Sequence, residues 1–163
     1  MDTADHSSDL GGLVLLLHSF EFAIRLFLFH EAGAEPHVDL DEVSIGKAVP
    51  INALTDYRQL RALLGSYNDA VRSRDPGLVI SSAADIISLR DALAHGRVYG
   101  RVFEPPFRLV KFSPQRPDGT VTMTFDATMD RPWFVAQRKL VRNAIEQVAR
   151  AMAPYGAGFA DGR

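Results

Sequence analysis

The stretch "SLRDALAHGRVYG", residues 88–100, places a guanidinium, a carboxylate and an imidazole close together as Arg90, Asp91 and His95. On an α-helix Asp91 and His95 share a face, whereas Arg90 and His95 lie about 140° apart around the axis. A carboxylate that accepts a hydrogen bond from one imidazole nitrogen leaves the other nitrogen free to transfer a proton. A guanidinium suits the non-bridging oxygens of a phosphate. The three residues therefore predict acid–base chemistry on a phosphodiester.

The reaction that fits these groups is attack of an RNA 2′-hydroxyl on its own neighbouring phosphate. This step needs a base, an acid and a cation near the phosphorane. Each chain offers one histidine at the motif, so two copies that meet across a twofold axis would supply both base and acid. Small residues beside the polar face favour such an approach: Ala83, Ala84 and Ala94. The alternative is a solvated helix end, with Asp91 and His95 as a surface pair near the negative end of the helix dipole.

The segment "LRDALAHG" resembles the R-x4-6-H signature of the HEPN superfamily. Arg90 and His95 bracket the four residues "DALA", and Asp91 takes the place of the polar residue that follows the arginine. The resemblance covers most of the chain from Leu10 to Met152 and implies an all-α fold. It also implies a homodimer with a metal-independent ribonuclease site at its interface, in which Arg90 and His95 are catalytic and Asp91 supports them.

Many members of that superfamily act as toxins or in phage defence. The resemblance therefore implies single-stranded RNA as substrate and a cognate antitoxin or regulatory protein as a further partner. The alternative is a non-catalytic HEPN-like interaction or nucleotide-binding module that uses the same dimer face.

Basic and aromatic residues alternate directly after the motif. Arg97 and Arg101 suit backbone phosphates and Tyr99 suits an unpaired base, so these three are the predicted RNA-binding residues. Residues 1–89 carry 6 basic and 13 acidic side chains, a charge of −7, and residues 90–163 carry 12 and 7, a charge of +5. The two values sum to the net charge of −2. A solvated strand with core aromatics is the alternative for each of these residues.

Composition narrows the possible kinds of site. The chain has no cysteine, which excludes disulfides, a thiolate zinc site and a cysteine nucleophile. The segment "HEAGAEPH", residues 30–37, holds its histidines seven apart across Gly33 and Pro36, so it is not the helical HExxH motif. We therefore expect neither a metal nor a cofactor. The first ten residues are acidic, unlike the basic start of a secretory leader, which favours a cytoplasmic protein.

Hydrophobic periodicity predicts four helices in one domain, residues 1–163, with loose termini at 1–9 and 154–163. The helices are expected over 10–32, from Thr55 as N-cap to about Asp75, over 78–95 with Gly96 as a left-handed C-cap, and after Asp130 as N-cap.

The first of these helices is apolar enough to suggest a membrane span, but His18, Glu21 and Arg25 near its middle argue against one. We expect a buried or dimer-facing helix and no membrane partner. Alternating residues around the turn "PQRPDG" predict a β-hairpin at 107–127. The expected fold is an all-α, up-down helical bundle, HEPN-like, with this hairpin inserted before the last helix.

Overall fold

The structure, a computed structural model, describes residues 2–33, 40–100 and 104–156. Four α-helices and three β-strands make up this part of the chain. In chain order they are α1 (Thr3–Glu31), α2 (Leu60–Arg72), α3 (Ala83–His95), β1 (Arg97–Tyr99), β2 (Phe107–Phe112), β3 (Met123–Met129) and α4 (Arg131–Met152). Single 3₁₀ turns occur at Leu40–Glu42, Pro76–Leu78 and Ala153–Tyr155.

The fold is mixed α/β, so the expectation of an all-α bundle is wrong. The predicted hairpin is present as β2 and β3, which pair antiparallel, and β1 adds a third antiparallel strand in the order β1-β2-β3. Arg97 pairs with Val110 and Tyr99 with Arg108. The strand β1 was not predicted from the sequence. It has only three residues between two glycines, too few for an alternation of apolar and polar side chains to distinguish a strand from a loop.

The chain divides into two compact units. Unit 1 contains residues 1–18 and 82–143, and unit 2 contains residues 19–81 and 144–163. Buried side chains of unit 1 include Leu13, Ile86, Leu89, Leu109, Met129, Phe134 and Val141. Those of unit 2 include Phe20, Ile24, Phe27, Leu63, Leu64, Tyr67, Ile80 and Val148. All titratable residues of the "SLRDALAHGRVYG" motif belong to unit 1.

The helix α1 begins at Thr3, so residues 3–9 of the expected loose N-terminus are helical. Two side chains of unit 1 explain the extension. His6 packs edge-on against Phe107 and Phe134, with ring centroids 4.8 and 5.2 Å apart. Asp9 pairs with Arg138 at 2.9 Å. Of the expected loose C-terminus, residues 154–156 belong to the described part, and residues 157–163 lie outside it.

Burial of His6 leads to a prediction about pH. The side chain is 3 % exposed, and within the described residues neither ring nitrogen has a hydrogen-bond partner. Burial lowers the pKa of His6 below its usual 6.5, and the nearby Asp9 carboxylate only partly opposes this. As the pH falls below 6.5, the unfolded chain therefore binds more protons than the folded chain does. The free energy of unfolding should be fully retained above pH 6.5 and fall as the pH drops toward 5, as urea titrations would measure.

A substitution isolates the contribution of His6. His6→Leu removes the titrating group and should flatten the pH dependence between 7 and 5. His18→Leu, which replaces an exposed histidine of the same helix, is the matched control. If the free energy of unfolding fell equally steeply with decreasing pH in wild type and His6→Leu, another group would be the cause of the acid sensitivity.

The boundaries of α2 and α3 are later than expected, because the preceding residues form turns. Thr55 does not cap α2; it closes a turn in which Asn52 N donates to Thr55 Oγ1 at 2.9 Å, and α2 begins at Leu60. Before α3, Asp75 accepts a hydrogen bond from Gly77 N at 2.8 Å and caps the 3₁₀ turn. The expected buried face of α2 is confirmed: Leu60, Leu63, Leu64, Tyr67 and Val71.

The start of α4 is confirmed. Asp130 Oδ1 accepts a hydrogen bond from Trp133 N at 2.9 Å, which satisfies one of the free amides of the first turn.

In unit 2 the guanidinium of Arg25 holds the loop before α2. It donates to the carbonyl oxygens of Ala53 (3.1 Å), Asp56 (3.2 Å) and Arg58 (2.8 Å). It also pairs with the carboxylates of Asp56 (2.9 Å) and Glu21 (3.0 Å). The side chain is only 12 % exposed, so α1 and the loop are joined by a largely buried ionic cluster.

The helix α1 is the one described helix long and apolar enough to cross a membrane by length and composition, with 44 % of its most apolar window buried. A core helix of a soluble protein and an N-terminal signal sequence satisfy the same criterion. The absence of a membrane partner therefore stays a prediction.

Candidate functional site

The predicted catalytic residues lie on the last two turns of α3, which packs on β2 within unit 1. His95 is the last residue of α3 and Arg97 the first of β1, so Gly96 alone joins the two elements. Gly96 has φ −77° and ψ −179°, an extended conformation, so the expected left-handed cap is wrong. Space explains the glycine: a Cβ here would lie 2.3 Å from Ala92 O and 2.9 Å from Val110 O.

Asp91 is bound by two cations. Its Oδ1 lies 3.5 Å from Arg90 Nη1, and its Oδ2 lies 3.5 Å from Lys111 Nζ of β2. All three side chains are partly exposed to solvent. The cluster therefore carries one carboxylate and two cations, and a net positive charge reaches the surface at this end of α3.

His95 stands apart from this cluster. It is exposed and lines an open cavity of about 180 Å³ together with Arg97, Val110, Phe112, Ser113 and Val121. In the described part of the chain no hydrogen bond joins Asp91 to His95, so the expected carboxylate–imidazole pair is not formed. Asp91 lies instead between Arg90 and Lys111, two cations that attract its carboxylate.

Of the three predicted RNA-binding residues, two belong to the part of the chain that the structure describes. Arg97 and Tyr99 are both exposed on β1. The guanidinium of Arg97 lies 5.2 Å from the centre of the Phe112 ring, and that of Arg108 lies 5.9 Å from the centre of the Tyr99 ring. Arg101 lies outside the described residues.

Arg108 is also bound to Asp126 of β3. The hydrogen bond from Arg108 lowers the pKa of the Asp126 carboxyl, and Asp126 in turn raises the pKa of the Arg108 guanidinium. The strand β2 thus carries a fixed cation beside Tyr99.

Sequence reasoning missed Lys111. The signal was present in the alternation of "FRLVKF", which puts Lys111 on the same side of β2 as Phe107 and the buried Leu109. A lysine on the inward side of a strand needs a carboxylate partner. The choice of Asp91 as that partner depends on how α3 packs on β2, which local patterns do not specify.

The segment "HEAGAEPH", residues 30–37, shows no metal-binding arrangement in the part that the structure describes. Across residues 2–33, 40–100 and 104–156, no group of three or more His, Asp or Glu side chains is placed to hold an ion. Glu31 is bound to Arg74 and Tyr155, and the ring of His30 stacks on Tyr155 at 5.7 Å. Glu35 and His37 lie outside the described residues.

Comparisons with protein-family models, with curated proteins and with solved structures find no match to this chain.

Proposed function

We propose that this protein is a HEPN-like endoribonuclease that cleaves single-stranded RNA without a metal ion. The observation that supports it best is the placement of an exposed imidazole, His95, at the end of α3, where Arg90 of the same helix and Lys111 of β2 contact one carboxylate. Imidazole is the side chain best suited to proton transfer near neutral pH. Partly exposed cations with a single shared counter-ion suit the additional charge of a phosphorane.

The proposed reaction is a transesterification. A histidine removes the proton of the 2′-hydroxyl, and the oxygen attacks the neighbouring phosphorus. The bond from phosphorus to the 5′-oxygen breaks, and that oxygen takes a proton from a second acid. The products are a 2′,3′-cyclic phosphate and a 5′-hydroxyl, so atoms and charge balance without an oxidant or a reductant.

Asp91 has a different proposed part from the one expected from sequence. It contacts both cations rather than His95, so we assign it as a positioning residue for Arg90 and Lys111. In the empty site it offsets the repulsion between them. A phosphate that enters the site competes with Asp91 for the same two cations.

The reaction needs two proton-transfer groups, and each chain presents one histidine at the motif. We therefore propose a homodimer in which the two α3 ends face each other and share one site. The exposure of Ala84 and Ala94 on α3 supports this arrangement, since small side chains allow two helices to approach closely. The acidic first ten residues favour the cytoplasm, and we place the enzyme there. As the resemblance implies, it would act as a toxin or defence ribonuclease with a cognate antitoxin or regulatory protein.

The test is cleavage of a labelled single-stranded RNA by the purified protein in the presence of EDTA. Cleavage should persist, and the 5′ fragments should end in a 2′,3′-cyclic phosphate. Activity that disappears on chelation and returns with added Mg²⁺, or fragments that begin with a 5′-phosphate, would contradict the proposed chemistry.

A second candidate is a non-catalytic interaction module or nucleotide-binding domain. The observation in its favour is that Asp91 contacts Arg90 and Lys111 rather than His95. The motif is therefore also consistent with an ion cluster that stabilises the fold. This candidate predicts that the protein cleaves no RNA and that a partner binds through Arg90 or Arg97. Cleavage that depends on His95 would exclude it.

A further inference from the structure

The sheet of unit 1 presents one face that carries aromatic and charged side chains. Side chains that are paired across antiparallel strands point to the same side of a sheet. The register Tyr99–Arg108, Arg97–Val110 and Val110–Asp126 therefore puts these residues on one side. Leu109 and Met129, both buried, lie on the other. We call the first side the open face; its accessible residues are Arg97, Tyr99, Arg108, Phe112 and Asp126, which surround the buried Val110.

Two aromatic rings on the open face each carry an arginine. Arg97 lies over Phe112, and Arg108 lies over Tyr99 while Asp126 holds its guanidinium in place. Tyr99 remains 50 % exposed. Alternating rings and guanidinium groups are the side chains that bind unpaired bases by stacking and backbone phosphates by charge.

The open face is continuous with the proposed catalytic end of α3. Arg97 and Phe112 line the same cavity as His95. From Arg97 to Tyr99 is two residues, or about 7 Å along the strand. A nucleic acid strand with a phosphate at His95 would therefore run along β1 toward Tyr99.

A second cavity lies at the Tyr99 end of this path. Its volume is about 630 Å³, and the described residues that line it are Tyr99, Gly100, Glu104, Pro105, Pro106, Arg108 and Thr128. That volume falls within the range of small-ligand pockets, roughly 300–1,000 Å³. The tyrosine ring and the two prolines give it flat apolar walls. Its charged lining residues are Arg108, which is paired with Asp126, and Glu104.

Arg108 and Asp126 of the open face pair with each other, so the attraction for an anionic ligand depends on Arg97. In the part of the chain that the structure describes, Arg97 forms no ion pair, so its charge is available for a phosphate. In a duplex, stacking on the neighbouring base pairs covers both faces of every base except those at the ends, whereas a single strand leaves the bases free to stack on protein side chains. An aromatic surface therefore selects the single strand.

We propose that the open face binds single-stranded RNA, with a phosphate on Arg97 and an unpaired base in the cavity stacked on Tyr99. This inference rests on the proposed function, since it assigns the path of the substrate away from His95. It identifies Tyr99, Arg97 and the prolines beside Tyr99 as the source of the preference for unpaired RNA.

The experiment measures binding separately from cleavage. The parent is full-length His95→Ala, and fluorescence anisotropy gives the Kd of a labelled single-stranded RNA and of the matching duplex. The single strand should bind more tightly. Adding Tyr99→Leu should weaken binding of the single strand about tenfold, whereas Tyr99→Phe should retain the affinity because the ring stays. Tyr57→Leu, which replaces a tyrosine of unit 2 that is 98 % exposed, should have no effect.

A second variant tests the phosphate contact. Arg97→Gln should weaken binding. It should also lower the slope of log Kd against log salt concentration by the amount that corresponds to about one phosphate contact. An unchanged Kd in Tyr99→Leu, or a duplex that binds as tightly as the single strand, would overturn the proposal. If thermal melting shows that Tyr99→Leu does not fold, the test depends on Arg97→Gln. An unchanged slope of log Kd against log salt concentration in that variant would then overturn the proposal.

Failure of this inference differs from failure of the proposed function. If wild type cleaves RNA but Tyr99→Leu and Arg97→Gln bind as the parent does, the nuclease stands and the open face is not its RNA path. If the variants weaken binding but wild type cleaves nothing, the open face binds RNA and the catalytic proposal is wrong.

Discussion

Replacing His95 with alanine should lower the rate of RNA cleavage by about 10²–10⁴-fold, the usual loss when a general acid or base is removed. The protein should still fold, because the His95 side chain is exposed and fills no core space. Single-turnover cleavage assays in EDTA would give the rate, and thermal melting would give the stability. His18→Ala removes another exposed histidine and should cleave as wild type does.

The same variant tests whether two chains share one site. Mixed dimers of tagged His95→Ala and wild-type chains should show far less than half of the wild-type rate, because a shared site then lacks either its acid or its base. Half of the wild-type rate would mean that each chain works independently. Full activity of His95→Ala would exclude the imidazole from the reaction.

Replacing Arg25 with alanine should lower the free energy of unfolding by about 3 kcal/mol, the lower end of the cost of removing one partner from a buried ion pair. The variant removes the cation that Asp56 and Glu21 share, while Asp56 keeps its ion pair with Arg58 at 2.6 Å. It also leaves the carbonyl oxygens of Ala53 and Arg58 without the donor that they share. Urea denaturation would measure the loss.

A surface arginine of unit 2 gives the matched control for Arg25. Arg72 pairs with Asp69 at 3.1 Å, but both side chains are well exposed to solvent. Exposed pairs contribute little, so Arg72→Ala should cost at most about 1 kcal/mol. Equal losses in the two variants would show that the Arg25 cluster adds nothing beyond an ordinary surface pair.

The parts of the fold that the sequence predicted correctly depend on short-range patterns. The hairpin follows from alternation around a Pro, Asp and Gly turn, and the start of α4 follows from the side chain of Asp130. The buried face of α2 follows from helical spacing that ends in Val71. Each of these signals lies within a few residues of the structure that it specifies.

The incorrect predictions depend on residues far apart in sequence. The helix α1 extends to Thr3 because His6 packs on Phe107 and Phe134. No local sequence pattern predicts this packing. The strand β1 exists because β2 pairs with it. In the site, spacing correctly put Asp91 and His95 on one helix, but Lys111 from a distant strand decides which group Asp91 binds.

Gly96 has a consequence for the entropy of catalysis. A flexible loop between α3 and β1 would let the backbone of His95 adopt many positions, and each RNA molecule that bound would have to restrict them. Here one residue without room for a side chain joins the helix to a hydrogen-bonded strand. The conformational entropy of that backbone is lost once, during folding. If the proposed reaction occurs here, RNA meets a preorganised histidine and keeps more of its binding energy for the transition state.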